Sequence, residues 1–328
     1  MTYICTITNK MQEYYPILFF LLASYSVIAN DSIQTLGTWI ASNKDRTPWY
    51  YLAIFASLGL IMTVSYSWYF NDGDISYGRL EKIPFQTIEW YHGIAPLALI
   101  VLTRFSIPAS TSFLILSTMA NNAVIGQMFL KSVLGYVVAA VVAFVFWVAV
   151  SKVLDEKKSV RGKNKKAWRT AQWFSTGFLW WSWLSHDVAN ISVFLPRQIS
   201  FEMLLLILVF FTVIMFIIFR EGGGKIQGIV LSKTNTKYVR SATIIDFVYA
   251  IILLYFKELN SIPMSTTWVF IGLLSGREVA ISALSEHRKI KKLFPILRGD
   301  FWKLIIGMSV SIAIAILVNY IATGEIFE

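Results

Sequence analysis

The sequence predicts an all-α integral membrane protein made of two inverted-topology repeats. Each repeat has about five membrane segments, with broken helices or re-entrant hairpins at the centre. Three observations predict this: an apolar composition laid out in long runs, positive charge gathered in three loops, and a set of polar motifs that occurs twice.

The 328 residues are 56% hydrophobic and 15% charged, whereas a soluble domain is about 45–50% apolar and about 25% charged. A membrane barrel would alternate polar and apolar residues over strands of about ten residues. Stretches 204–219 and 304–318 are almost continuously apolar instead. The first ten residues, MTYICTITNK, lack the basic start and small-residue cleavage site of a signal peptide. The single Cys5 excludes an internal disulfide framework and a cysteine metal cluster.

In chain order the apolar segments are 14–42, 50–70, 85–103, 106–130 and 132–151, then 170–196, 201–219, 243–257, 263–285 and 304–322. Residues 152–169, 220–240 and 284–303 carry eight, five and six Lys/Arg, nineteen of the twenty-nine in the chain. Short Lys/Arg-rich loops stay cytoplasmic. A multi-pass protein of the cell membrane is therefore expected, with its basic loops cytoplasmic. Both termini lie outside, including Glu325 and Glu328, as does the loop at 71–84. The charge of +10 is spread as orientation requires, so nucleic acid is not an expected partner; the lipid bilayer is. Five segments on each side of the 152–169 linker make the halves 1–151 and 170–328 enter the membrane from opposite sides, a recurring plan of secondary transporters.

The motifs repeat with the halves. IANDSIQTLGT (28–38) places Asn30 and Asp31 three residues before Gln34; LSHDVANISVFLP (184–196) places His186 and Asp187 three residues before Asn190. IPASTS (107–112) has its counterpart in IPMSTT (262–267), and Asp31 precedes Ser110 by 79 residues as Asp187 precedes Ser265 by 78. An acid at the bilayer centre costs roughly 2.5–3.5 kcal/mol and is kept where it meets a cation, a partner or a water-filled cavity. With the amides, Asp31 and Asp187 make an oxygen-rich site for Na⁺, or carry a proton. Pro108 and Pro263 break the preceding helix. The Ser/Thr residues after them fit helix N-caps, whose free N–H groups attract anions. Ser110, Thr111 and Ser112 facing Ser265, Thr266 and Thr267 would cradle a small oxyanion, with Asp31 and Asp187 beside it.

These residues carry a resemblance. IANDSIQTLGT resembles the GANDVANAFGT signature of the PiT family of inorganic phosphate transporters, and SHDVAN its second copy. IPASTS and IPMSTT are similar to that family's PVSTTH elements. The resemblance implies a symporter of inorganic phosphate coupled to Na⁺ or H⁺, with no further cofactor or metal and no enzymatic activity. It implies that Asn30, Asp31, Gln34, Asp187 and Asn190 bind the cation and that the two hydroxyl triads bind the anion. The chain departs from the pattern: Ile28 stands for Gly, Gln34 for Asn, His186 for Asn, and Phe113 and Trp268 for His. No acid occurs in AIFASLG (53–59), and there is no large central soluble domain. The resemblance is thus to a compact or divergent member.

Some readings stay open. A sulfate permease of the same fold, or a non-transporting membrane binding or sensor protein, would use the same motifs; a phosphoryl-handling enzyme lacks a nucleophile or metal set. A homodimer is compatible with the plan. His186 is a proton carrier, a metal ligand or a hydrogen-bond partner of Asp187. Glu89 and His92 are expected to pair at an interface. Arg104 is expected to reach out from a helix end, Arg277 and Glu278 to have separate partners, and the Trp cluster at 173–183 to form a lipid-facing or interfacial belt.

Overall fold

The computed structural model describes residues 12–105, 107, 109–151, 163–223, 227, 238–259, 262–284 and 290–324. Pro108, the acidic tail, most of the loops 152–169 and 220–240, and residues 285–289 of the third basic loop lie outside the described residues. Every regular element among the described residues is helical: α1 (Tyr15–Val27), α2 (Ile33–Asn43), α3 (Trp49–Phe70), a 3₁₀ turn (Trp90–Gly93), α4 (Ile94–Arg104), α5 (Asn122–Ser151), α6 (Lys163–Asp187), α7 (Ala189–Ser192), α8 (Phe201–Arg220), α9 (Val239–Leu259), α10 (Thr266–Leu284) and α11 (Ile290–Thr323). Two π-helical turns, Ile28–Ser32 and Ser112–Leu116, interrupt the pattern at two of the motifs. Six helices (α3, α5, α8, α9, α10 and α11) are long and apolar enough to cross a membrane. The pair flanking Ile28–Ser32, bent by 55°, makes a seventh if counted as one span.

Local chemistry explains the boundaries. Pro16 starts α1, where its missing N–H costs nothing. Ser200 caps α8 by accepting from the Met203 N–H at 3.3 Å, and Glu202 and Arg220 stand at the ends their charges favour. The π turn at Ile28–Ser32 widens the backbone, and Ser32 donates to the Ile28 carbonyl instead of extending a straight helix.

The expected segments are realised unequally. Of 85–103 only α4 is α-helical, and eleven residues rise about 16 Å, half of a hydrocarbon core of about 30 Å. The division between 106–130 and 132–151 is corrected: the break falls at 117–121 and α5 runs unbroken across residue 131. Lys131 does not interrupt it because its Nζ reaches the Ile262 carbonyl at 2.8 Å. Residues 163–169, expected in the linker, form the first turns of α6. The Trp cluster is not a belt either: Trp180 and Trp183 are buried and stacked at 5.0 Å, and the Trp180 indole donates to the Ala56 carbonyl at 2.8 Å.

Hydrogen bonds sort the helix ends into two layers. At one end the Ile199 N–H meets the Gly73 carbonyl at 3.1 Å, Gln86 meets the Met119 carbonyl at 3.2 Å, and Gln12 meets Glu89. At the other, Asn43 meets Gln172 at 3.2 Å, Arg240 lies over Trp168 and Arg277 over Trp147. The segment 94–121 enters and leaves by the first end. The segment α9–α10 enters and leaves by the second. Their tips, 109–112 and 262–267, meet through hydrogen bonds. α10 lies along α5 so closely that Gly272 and Gly276 face the Tyr136 and Ala140 carbonyls, the small-residue contact that lets helix backbones approach.

Candidate functional site

Asp31 sits on the first π turn, 1% exposed, and Asp187 at the C-terminal end of α6, fully buried. Their surroundings match in detail. Thr111 donates to Asp31 Oδ2 at 2.7 Å and Thr266 to Asp187 Oδ2 at 2.6 Å. The amide three residues on donates to the other oxygen: Gln34 to Asp31 Oδ1 at 3.2 Å, Asn190 to Asp187 Oδ1 at 2.8 Å. Asn30 adds a bond to Asp31 Oδ1 at 2.7 Å. At the tips the Ser110 hydroxyl accepts from the Phe113 N–H and the Ser265 hydroxyl from the Trp268 N–H, both at 3.2 Å.

The halves also bind each other reciprocally. Ser112 donates to the Met264 carbonyl at 3.0 Å, and Thr267 to the Ala109 carbonyl at 3.2 Å. Asn190 also reaches across to Thr111 at 2.9 Å, whereas Asn30 reaches the Ala109 carbonyl of its own half at 3.1 Å. The structure thus brings every predicted site residue to one centre, and all are buried. Two amide oxygens there, Asn30 Oδ1 and Asn190 Oδ1, are buried without a partner among the described residues. A buried acceptor without a donor costs about 1–3 kcal/mol, and beside a carboxylate it is a ready ligand for a hard cation.

The geometry differs from the expectation in two ways. Thr111 and Thr266 are engaged by the acids, so hydroxyls and carboxylates form one network instead of separate anion and cation sites. Only the second tip opens a long helix, α10; the first leads into a five-residue π turn. The dipole argument therefore holds for the second half alone.

His186 has both ring nitrogens engaged. Leu253 O lies 2.7 Å from Nε2 and can only accept, so Nε2 carries the hydrogen. Nδ1 then accepts from Arg79 at 2.9 Å. Arg79 was expected in an outer loop but is 2% exposed. Its burial has no sequence signal, because a polar loop reads as solvated. Asp246 had one, as a lone acid in an apolar run. It is fully buried between Thr38 at 2.6 Å and Thr176 at 2.5 Å, tying α2, α6 and α9 together away from the tips.

The other clusters are structural. Glu89 and His92 form a reciprocal cap on a short 3₁₀ turn, and Arg104 is an exposed residue at the end of α4. Arg277 makes its short bond to Ser241 at 2.6 Å and, against expectation, also approaches Glu278 at 3.4 Å.

Hairpins entering from opposite ends, with acids and hydroxyls at their meeting tips, define a multi-pass helical membrane protein with a buried polar centre. The particular fold is shared with a solved structure described as "The sodium-dependent phosphate transporter". The two align with a TM-score of 0.64 over 95% of this chain and 99% of that one, at 15% identity. No protein-family profile and no curated protein matches the sequence.

Proposed function

We propose that the protein is a secondary active transporter of inorganic phosphate, coupled to Na⁺ or H⁺ and working by alternating access between two inverted repeats. One observation carries the reading. Two acid–hydroxyl pairs at matching positions of the two halves meet at the tips of opposed hairpins, beside two unpartnered amide oxygens. The shared fold with a sodium-dependent phosphate transporter supports the same conclusion.

The chemistry follows. Asp31 and Asp187 act on each other electrostatically, and two buried carboxylates need cations to coexist. Asn30, Asp31 and Gln34 would hold one cation; Asp187 and Asn190 would hold the other positive charge of the site. The cations let the hydroxyls of Ser110–Ser112 and Ser265–Thr267 turn from the carboxylates and the opposed carbonyls to an anion. Phosphate at neutral pH keeps a hydrogen that a carboxylate accepts; sulfate has none. The centre therefore favours phosphate. His186, with both nitrogens engaged, is assigned to holding Arg79 and not to carrying protons. The end bearing the basic loops is cytoplasmic, and the opposite end, which holds Gln12 and Thr323, faces outward.

The test is ³²P-phosphate uptake into proteoliposomes under Na⁺ or H⁺ gradients, with sulfate as competitor. Gradient-driven uptake that resists sulfate is expected. No phosphate flux under either gradient would falsify the reading, and uptake abolished by sulfate would move it to a sulfate permease. Removing one hydroxyl is a milder test. Thr111→Val and Thr266→Val each remove a charge-assisted bond of about 1.5–3 kcal/mol. Each variant is expected to lose roughly tenfold or more in uptake efficiency while eluting as wild type on gel filtration.

A further inference from the structure

The segment between α3 and the 3₁₀ turn does not stay at the surface. Asp74 folds it by accepting from the Ser76 N–H at 2.7 Å, the Ser76 hydroxyl at 2.8 Å and the Gly78 N–H at 3.0 Å. Tyr77 and Gly78, at φ 57° and 68°, then turn the chain inward, and Arg79 enters the protein. Its Nη2 binds His186 Nδ1 at 2.9 Å and the Ile262 carbonyl at 3.3 Å. Ile262 opens the second tip, and His186 adjoins Asp187. The guanidinium charge acts on Asp187. Its Nε is buried and has no partner among the described residues.

We propose that Arg79 is a fixed counter-charge of the anion site, supplying permanently at Asp187 the positive charge that a bound cation supplies at Asp31. The inference rests on the transport reading above. A buried guanidinium is expensive to desolvate, and tethering a loop needs no charge. The halves differ at this point. Where the second half has His186 holding Arg79, the first has Asn30, whose amide binds Asp31 itself and the Ala109 carbonyl. The direct partners of both acids are neutral, Thr111, Asn30 and Gln34 at Asp31 and Thr266, Asn190 and Ser112 at Asp187, but only Asp187 has a buried guanidinium held beside it, on the neighbouring His186. The matched acids therefore sit in unmatched fields. Asp31 is left to a mobile cation, while Asp187 has a resident one. The free Nε–H offers a donor at the second tip once an anion arrives. Arg79 is thus a positioning and specificity residue that lowers by one the cations the anion must bring.

The experiment is ³²P-phosphate binding to the purified full chain across a Na⁺ series at fixed pH, for wild type, Arg79→Gln and Arg79→Lys. R79Q is expected to weaken binding by roughly tenfold or more at low Na⁺, to recover at high Na⁺, and to show a steeper Na⁺ dependence than wild type. R79K, which keeps the charge, is expected to keep the wild-type Na⁺ dependence. Folded R79Q with the wild-type Na⁺ profile overturns the proposal, as does a loss that no Na⁺ concentration repairs. Should R79Q not fold, R79K decides: a changed Na⁺ profile overturns the proposal. Wild-type protein that binds no phosphate at any Na⁺ level, at neutral or at acidic pH, defeats the transport reading instead, so the two failures are distinguishable.

Discussion

Asp187→Asn and Asp31→Asn are each expected to lower phosphate uptake by about a hundredfold or more, the size of a buried charge–partner loss of about 3 kcal/mol. The substitution keeps the side-chain shape and one oxygen, so the fold survives. What goes is the negative charge that a cation must meet, together with the acceptor for Thr266 Oγ1 at 2.6 Å or Thr111 Oγ1 at 2.7 Å. The new amide brings N–H donors to a place where the neighbouring hydroxyl and amide already donate, so one contact turns repulsive. Uptake by proteoliposomes of matched protein content measures the effect, with thermal unfolding in detergent as the control. Near-wild-type uptake by D31N would remove the cation role of the first half. The same result for D187N would remove Asp187 from the mechanism and leave the charge of Arg79 without its partner.

Gly276→Val is expected to abolish recovery of folded protein, and Gly276→Ala to destabilise it by about 1–3 kcal/mol, the usual cost of overpacking. The reason is backbone proximity. A Cβ on Gly276 would collide with the Ala140 carbonyl, and one on Gly272 with that of Tyr136. Neither obstacle is a flexible side chain that can swing away. Relief requires α5 and α10 to separate, and α10 carries Thr266 and Thr267 into the centre, so uptake should fall with stability. Gly126→Ala is the matched control: it lies on α5 with nothing within 4 Å of an added Cβ, and its effect should stay within about 1 kcal/mol, in the stabilising direction. Thermal unfolding followed by gel filtration compares the three variants. G276A with wild-type stability would mean that the two helices do not meet where described.

Much of the centre was legible because its chemistry conflicts with its surroundings. Asp31 and Asp187 stand in apolar runs, and an acid there must have a reason. The near-equal spacing to Ser110 and Ser265 identified which segments meet; the contacts found run one residue on, from Thr111 and Thr266, and join the hydroxyls to the acids instead of keeping two separate sites. The boundaries in the first half were less legible. Hydropathy registers how apolar a run is, not whether it is α-helical, so the short α4 and the π turn at Ser112–Leu116 read as full segments. Lys131 suggested a boundary because sequence alone does not show that a carbonyl from the other half awaits its Nζ.

Taken alone, the sequence determined the class of the protein, the doubling of its motifs and the residues gathered at its centre. These follow from local composition and spacing, which lipid constrains strongly. The tertiary structure decided what those residues do to one another. It placed Arg79 beside His186, put Trp180 and Trp183 in the core, and joined each Thr to its acid across about 80 residues of chain. Contacts of that kind depend on which helix faces meet, and periodicity within a single segment does not specify its neighbour.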